Sequence, residues 1–169
     1  MRILFVCTGN TCRSFMAEQL MDKLVEDASD EDRLQKGDIK ASSAGLFAVE
    51  GDEASEHAVK ALKKLYGMDS DKHKAKQLDE EMVKDADLVL TMTDSQKHAI
   101  AETYDEYEDK VFTLKEFAIG PAGDEDESVD VDDPYGGDFD EYKECAEEIK
   151  ALLDIVLSKL IDMNCKNFD

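Results

Sequence analysis

Apolar positions along the chain follow two periodicities. Ile3, Leu4, Phe5 and Val6 form a continuous run, the pattern of a central parallel strand covered on both faces. Leu88 to Met92 and Val111 to Thr113 repeat that character, and Ile39 to Ser42 reads as a further strand. Between these runs the spacing is helical. Phe15, Met16, Leu20, Met21, Leu24 and Val25 make one stripe, and Ala54, Ala58, Leu62 and Leu65 make another over Glu53 to Tyr66, stopped by Gly67. Asp79 to Ala86, Ser95 to Tyr104 and Leu114 to Ile119 are shorter helical segments. A terminal helix is predicted over Phe139 to Met163, with Tyr142, Ile149, Leu152, Leu153, Val156 and Leu160 on its apolar face. The polar stretch Glu26 to Gly37 reads as a surface connection, with a helical end as an alternative, and Ser43-Ala44-Gly45 as a small-residue turn. Gly120 to Asp138, which holds both prolines, reads as a long loop.

Strands alternating with helices predict a single α/β domain over residues 1–169, a parallel sheet with right-handed crossovers. Such sheets take ligands at the carboxyl ends of their strands. The loop after the first strand lies there, and its sequence is Cys7-Thr8-Gly9-Asn10-Thr11-Cys12-Arg13-Ser14. A strand-to-helix turn aims successive backbone N–H groups and the positive helix end at one point, which suits a phosphate. Cys7 sits at the rim of that nest, where a thiolate is stabilised and becomes a nucleophile at neutral pH. Arg13 offers a planar fork for two phosphate oxygens, and Ser14 can donate its hydroxyl to the Cys7 sulfur. Gly9 permits a backbone conformation that a Cβ would resist, and Asn10 can tie the loop through its side-chain amide. Thr8, Thr11 and Cys12 complete the lining expected to meet substrate.

Charge and cysteine usage narrow the class. The formal net charge is -22, so a polyanion would be repelled and nucleic acid is excluded as a partner. Distant carboxylates also oppose an anionic phosphorylated substrate, unless the substrate protein is basic. With four cysteines, two of them in the candidate loop, the chain has no disulfide framework. His57, His73 and His98 are far apart in sequence, and no zinc-ligand spacing occurs, so neither metal nor cofactor is expected. Ile3 to Val6 is too short for a signal peptide or span, and no later segment approaches about 18 continuous apolar residues. A cytoplasmic protein without membrane contact is the expectation, as a monomer or weak homo-oligomer.

The run Val6 to Ser14 resembles the phosphate-binding loop of the low-molecular-weight protein tyrosine phosphatases, and is most similar to their bacterial protein-arginine phosphatase branch. The resemblance extends to Ser43-Ala44-Gly45, Ala86 to Leu90, Val111 to Glu116 and Asp133-Pro134-Tyr135-Gly136-Gly137. It implies a flavodoxin-like strand order of 2-1-3-4 and a cysteine-dependent phosphatase acting on phosphorylated proteins. Cys7 would be the nucleophile and Arg13 the transition-state clamp. It also implies that Asp133 is the general acid and then the base, with Pro134 stiffening the backbone after it. On the residues alone, Asp133 stands only slightly above Asp124, Glu125, Asp126, Glu127, Asp130 and Asp132. A calcium loop does not fit their spacing, because no frame supplies the required glycine.

Tyr135 and Phe47 read either as walls of the pocket or as ordinary core. His73 reads either as a support for the phosphate loop, which the resemblance implies, or as a surface histidine. Thr11 sets the substrate class: tyrosine-directed relatives carry a larger aliphatic residue here, and the arginine-directed branch resembles this chain in having threonine. Phosphoarginine is therefore the expected substrate, with phosphotyrosine as the alternative. Cys12 could capture an oxidised Cys7 as a disulfide, or simply be a small buried residue. Cys145 and Cys165 read as bystanders. Phe15 stands where the family usually has proline, which predicts a slightly softened loop. Arsenate reduction would need relay cysteines that Glu80 to Met92 lacks. A phosphocysteine carrier would have no use for Arg13 and Asp133, and a non-catalytic phosphopeptide binder would tolerate loss of Cys7.

Overall fold

The computed structural model describes residues 1–31, 34–35, 37–121 and 128–166. Four parallel strands, β1 (Arg2–Cys7), β2 (Lys40–Gly45), β3 (Leu88–Thr91) and β4 (Val111–Thr113), form one sheet in the order β2-β1-β3-β4. The helices are α1 (Arg13–Asp30), α2 (Glu56–Tyr66), α3 (Glu80–Asp85), α4 (Asp94–Thr103), α5 (Leu114–Ile119) and α6 (Phe139–Lys166). A 3₁₀ segment, Asp105–Lys110, leads into β4.

The continuous apolar run of β1 is explained by two cores. Successive side chains point to opposite faces of a strand. Ile3, Phe5 and Cys7 join Leu88 and Leu90 in the larger core, against α1, α2, α5 and α6. Leu4 and Val6 join Val89 and Val111 in a smaller core closed by Leu78, Val83 and Ile100. A central strand with no polar face is thereby required. The apolar face of α6 buries Tyr142, Ile149, Leu153, Val156 and Leu160 in the larger core, as its spacing predicts.

Apart from the start of α1, two elements differ from the sequence expectation. β2 is a strand through Gly45, so Ser43-Ala44-Gly45 is not a turn: Ser43, Ala44 and Gly45 pair in register with Phe5, Val6 and Cys7. α2 begins at Glu56 rather than Glu53, because Glu53 is drawn into an isolated antiparallel bridge with Lys74. Among the described residues, no helix is long and apolar enough to cross a membrane. The order of strands leaves the carboxyl end of β1 in the middle of the sheet, flanked by β2 and β3, and the Cys7 to Ser14 loop opens there.

Candidate active site

β1 ends at Cys7 and α1 begins at Arg13, two residues before the predicted start at Phe15, so the helix opens inside the motif itself. The first bond of the helix runs from the Met16 amide to the Cys12 carbonyl at 2.9 Å. The amides just ahead of Met16 have no carbonyl four residues back within the helix, which leaves them available at its positive end. Phe15 stands at the third position of the helix. Its ring is fully buried and packs on the His73 imidazole with centroids 4.7 Å apart.

Asn10 organises the loop. It has the left-handed backbone (φ 57°) and is fully buried. Its side-chain Nδ2 donates to Ser14 Oγ at 2.9 Å and to Ser43 Oγ at 2.8 Å, while Oδ1 accepts from the Lys76 amide at 2.9 Å. His73 Nε2 donates to the Asn10 carbonyl at 2.7 Å, so His73 does brace the loop. Burial lowers the His73 pKa, against that hydrogen bond, and the nearby Lys76 charge lowers it further. The expectation for Gly9 is corrected: a Cβ there would meet only Thr11 Oγ1 at 3.7 Å, and its φ is not positive. The glycine that sterics demand is Gly45, where a Cβ would stand 2.7 Å from the Thr8 carbonyl and 2.9 Å from the Asn10 amide nitrogen.

The candidate nucleophile is set by this bracing. Cys7 Sγ lies 2.9 Å from Ser14 Oγ. Ser14 already accepts from Asn10, so its hydroxyl proton is free to point at the sulfur; the competing acceptor, the Ala44 carbonyl, is farther away at 3.4 Å. Ser43, held by the same amide, donates onward to Glu18, whose pKa is raised by burial, partly offset by that bond and by Lys76.

Arg13 is 4% exposed and turns its fork toward the other loop. One terminal nitrogen donates to the Val131 carbonyl and the other to Asp133 Oδ2, each at 2.9 Å. Asp133 Oδ1 accepts from the Tyr135 amide at 3.1 Å. The segment is anchored by the Val131 amide, which donates to the Met92 carbonyl at 2.8 Å, and by Asp130 Oδ1, which accepts from the Asp94 amide at 2.7 Å. Asp133 is thus the acidic residue brought to the loop, while Asp130 holds the segment and Asp132 does not reach Arg13. Asp124, Glu125, Asp126 and Glu127 lie outside the described residues.

A cavity of about 290 Å³ is lined by Cys7, Thr11, Arg13, Asp133, Tyr135 and Phe47, among others. Tyr135 and Phe47 are about four-fifths exposed, which settles them as walls and not as core. Thr11 lines the same cavity. Cys12 is buried, with its sulfur 3.5 Å from the Tyr142 hydroxyl, and both Cys7 and Cys12 are free thiols. The Tyr142 pKa is pushed up to about 12, chiefly by burial. Burial likewise pushes the Cys145 thiol up to about 12, so it is inert at neutral pH, and Cys165 is on α6 well along from the site.

One residue absent from the sequence reading matters here. Gln96 is buried; its Oε1 accepts from the Met92 and Thr93 amides, both at 3.1 Å, and its Nε2 donates to Thr8 Oγ1 at 3.1 Å. The capping box Thr93–Gln96 at the head of α4 is therefore wired to the phosphate loop.

Residues 2–165 match the low molecular weight phosphotyrosine protein phosphatase family. The chain belongs to that family. It is 43% identical to the protein-arginine-phosphatase of Bacillus subtilis (strain 168), over 90% of this chain and 92% of the relative. It superposes on the low molecular weight protein tyrosine phosphatase from T. tengcongensis with a TM-score of 0.81 and 48% identity, covering 94% of this chain and 99% of the other. It also superposes on a mutant of the YwlE arginine phosphatase that carries a phosphorylated active-site serine, with a TM-score of 0.80 and 41% identity over 95% of both chains. Membership in this phosphatase family makes the Cys7 to Ser14 loop the seat of phosphoryl transfer to test.

Proposed function

We propose that the chain is a protein phosphatase that hydrolyses phosphoarginine through a phosphocysteine on Cys7. The observation that carries the reading is the ring around one cavity of a sulfur held by Ser14, the Arg13 fork and the Asp133 carboxyl. The protein-arginine-phosphatase relative and the phosphoserine-bearing YwlE structure support it, as does Thr11 on the cavity wall.

The chemistry follows from the contacts. Before substrate enters, Asp133 occupies one arm of Arg13. A phosphoryl group seated on the loop amides competes for that fork with two oxygens, and bidentate pairing with a phosphate outweighs a single half-exposed contact. Asp133 is released toward the leaving group. Cys7 Sγ then attacks phosphorus, the P–N bond breaks, and its electron pair leaves with the guanidino nitrogen, which takes a proton from Asp133. In the second step the Asp133 carboxylate takes a proton from water as the water oxygen attacks phosphorus. The P–S bond breaks and the thiolate returns to the Ser14 hydroxyl. Arg13 follows the equatorial oxygens through both steps.

Thr11 supports arginine over tyrosine because a small β-branched hydroxyl can face a guanidinium and crowds a flat ring. A cytoplasmic setting fits a mechanism that needs Cys7 reduced. The test is phosphate release from peptides of one sequence bearing phosphoarginine or phosphotyrosine. Faster release from phosphoarginine is expected, lost by orders of magnitude in Cys7→Ser, with the preference falling about tenfold in Thr11→Ile. Faster release from phosphotyrosine by the unaltered protein would replace this reading with the tyrosine-directed one.

A further inference from the structure

The proposed step leaves one charge unanswered. To act as general acid, Asp133 must arrive protonated, and a protonated carboxyl is neutral. A phosphoarginine side chain brings a cationic guanidinium into a cavity whose other strong charge is the Arg13 cation, so a carboxylate is needed that is not spent on proton transfer. The carboxyl side chains lining this cavity, among the described residues, are Asp133 and Asp52. Thr11, Phe47, Val49 and Tyr135, which line the rest of the opening, offer no carboxylate.

Asp52 suits the task. Its carboxylate is exposed and makes no hydrogen bond or ion pair with any described residue, so both oxygens are available. Its backbone is pinned. The Ala75 amide donates to the Asp52 carbonyl at 2.8 Å, the Asp52 amide donates to the Val49 carbonyl at 3.1 Å, and the Gly51 amide before it donates to the Ala75 carbonyl at 2.9 Å. Glu53, the next residue, bridges to Lys74 in backbone and in side chain. The neighbouring carboxylates on that segment are engaged elsewhere: Glu53 by Lys74 and Glu50 by the Gln77 amide. Asp52 alone of the three faces the cavity with nothing to hold.

We propose that Asp52 is a specificity-determining residue, whose carboxylate pairs with the free guanidinium nitrogens of phosphoarginine while Asp133 carries the transferable proton. The inference rests on the phosphoarginine reading above and assigns part of its discrimination to a second wall of the cavity, acting in the same sense as Thr11. Asp52 opposes the phosphate that both substrates carry, but a phosphoarginine offsets this with its guanidinium, whereas a phosphotyrosine ring gives Asp52 nothing to pair with. The same carboxylate thus helps one substrate and hinders the other.

That asymmetry is the test. In Asp52→Asn, kcat/KM for a phosphoarginine peptide should fall about tenfold, carried mainly by KM, while the matched phosphotyrosine peptide is unchanged or faster. Asp52→Glu should restore most of the phosphoarginine rate. A general loss of fold lowers both substrates by one factor, and that result, or an unchanged ratio, overturns the role of Asp52 while leaving phosphoarginine as substrate. Failure of the unaltered protein to release phosphate from phosphoarginine overturns both readings together.

Discussion

The phosphate loop and the acid loop meet at Arg13 but are built in opposite ways. Around the fully buried Asn10, three partners arrive from two segments outside the loop: Ser43 on β2, and His73 and Lys76 in the connection before α3. Ser14 adds a partner from the loop's own helix. Residues 128–134, by contrast, have no regular secondary structure, and Asp133 itself is half-exposed. The proposed acid loop is held by Val131, by Asp130, and by Arg13, which the proposed mechanism gives over to substrate. Groups that stabilise a developing charge work best when they need not reorganise, whereas a proton donor must let substrate in and then close on it. The molecule spends its buried hydrogen bonds on the first task and leaves the second to a segment that can change partners.

The strongest test of this contrast is Asp133→Asn. Loss of the proton donor should lower kcat for phosphoarginine by about 10²–10⁴, with little change in thermal stability, since the side chain is half-exposed. An aryl phosphate with an acidic phenol needs less protonation and should lose much less. A stability loss as large as the activity loss would mean that the acid loop is structural, and the contrast would break.

Asn10→Ala probes the other side. Ser14, Ser43 and the Lys76 amide each lose a buried partner, and alanine must adopt a left-handed backbone. An unsatisfied buried polar group costs about 1–3 kcal/mol and the backbone strain about 1–2. With some groups repaired by water, a loss of roughly 3 kcal/mol is expected, seen as a fall in Tm of about 10 °C. Asn10→Gly should recover about 1 kcal/mol of this by relieving the backbone alone. Equal Tm values for the two variants would place the whole effect on the hydrogen bonds.

The same contrast explains what could be read without coordinates. The buried strands and the α6 stripe were legible because burial on a sheet or helix face imposes a short period on the sequence. Cys7, Arg13 and Ser14 were legible because strand, loop and helix follow one another in the chain. The end of β2 was not, since Ser43, Ala44 and Gly45 lack the branched side chains of a strand and become one only by pairing with β1. Gly9 drew the role that belongs to Gly45, because the crowding comes from the Thr8 and Asn10 backbones folded against β2. Gln96 was missed because its bond to Thr8 joins residues 88 apart in sequence. Asp133 was separable from its acidic neighbours by family likeness, and geometrically only by its contact with Arg13.

The smallest expected effect sharpens the picture of the phosphate loop as a region held by burial. In the folded chain His73 has a lowered pKa because burial penalises its charged form. Below the ordinary histidine value of about 6.5, the unfolded chain therefore takes up a proton that the folded chain resists. Unfolding is favoured by that uptake, so the His73 contribution to stability is complete above about pH 6.5 and is lost as pH falls toward the lowered folded value. Glu18 acts in the opposite sense: its raised pKa means that the folded chain holds a proton longer, and stability declines as pH rises from about 4.5 through the folded value. Urea unfolding followed from pH 7 to pH 5 should therefore show a component of slope below one proton that disappears in His73→Gln, a variant that keeps a donor for the Asn10 carbonyl. A slope unchanged by that substitution would mean that the imidazole is as free to ionise in the folded chain as in the unfolded one, and that His73 supports Asn10 through its hydrogen bond without being held neutral by burial.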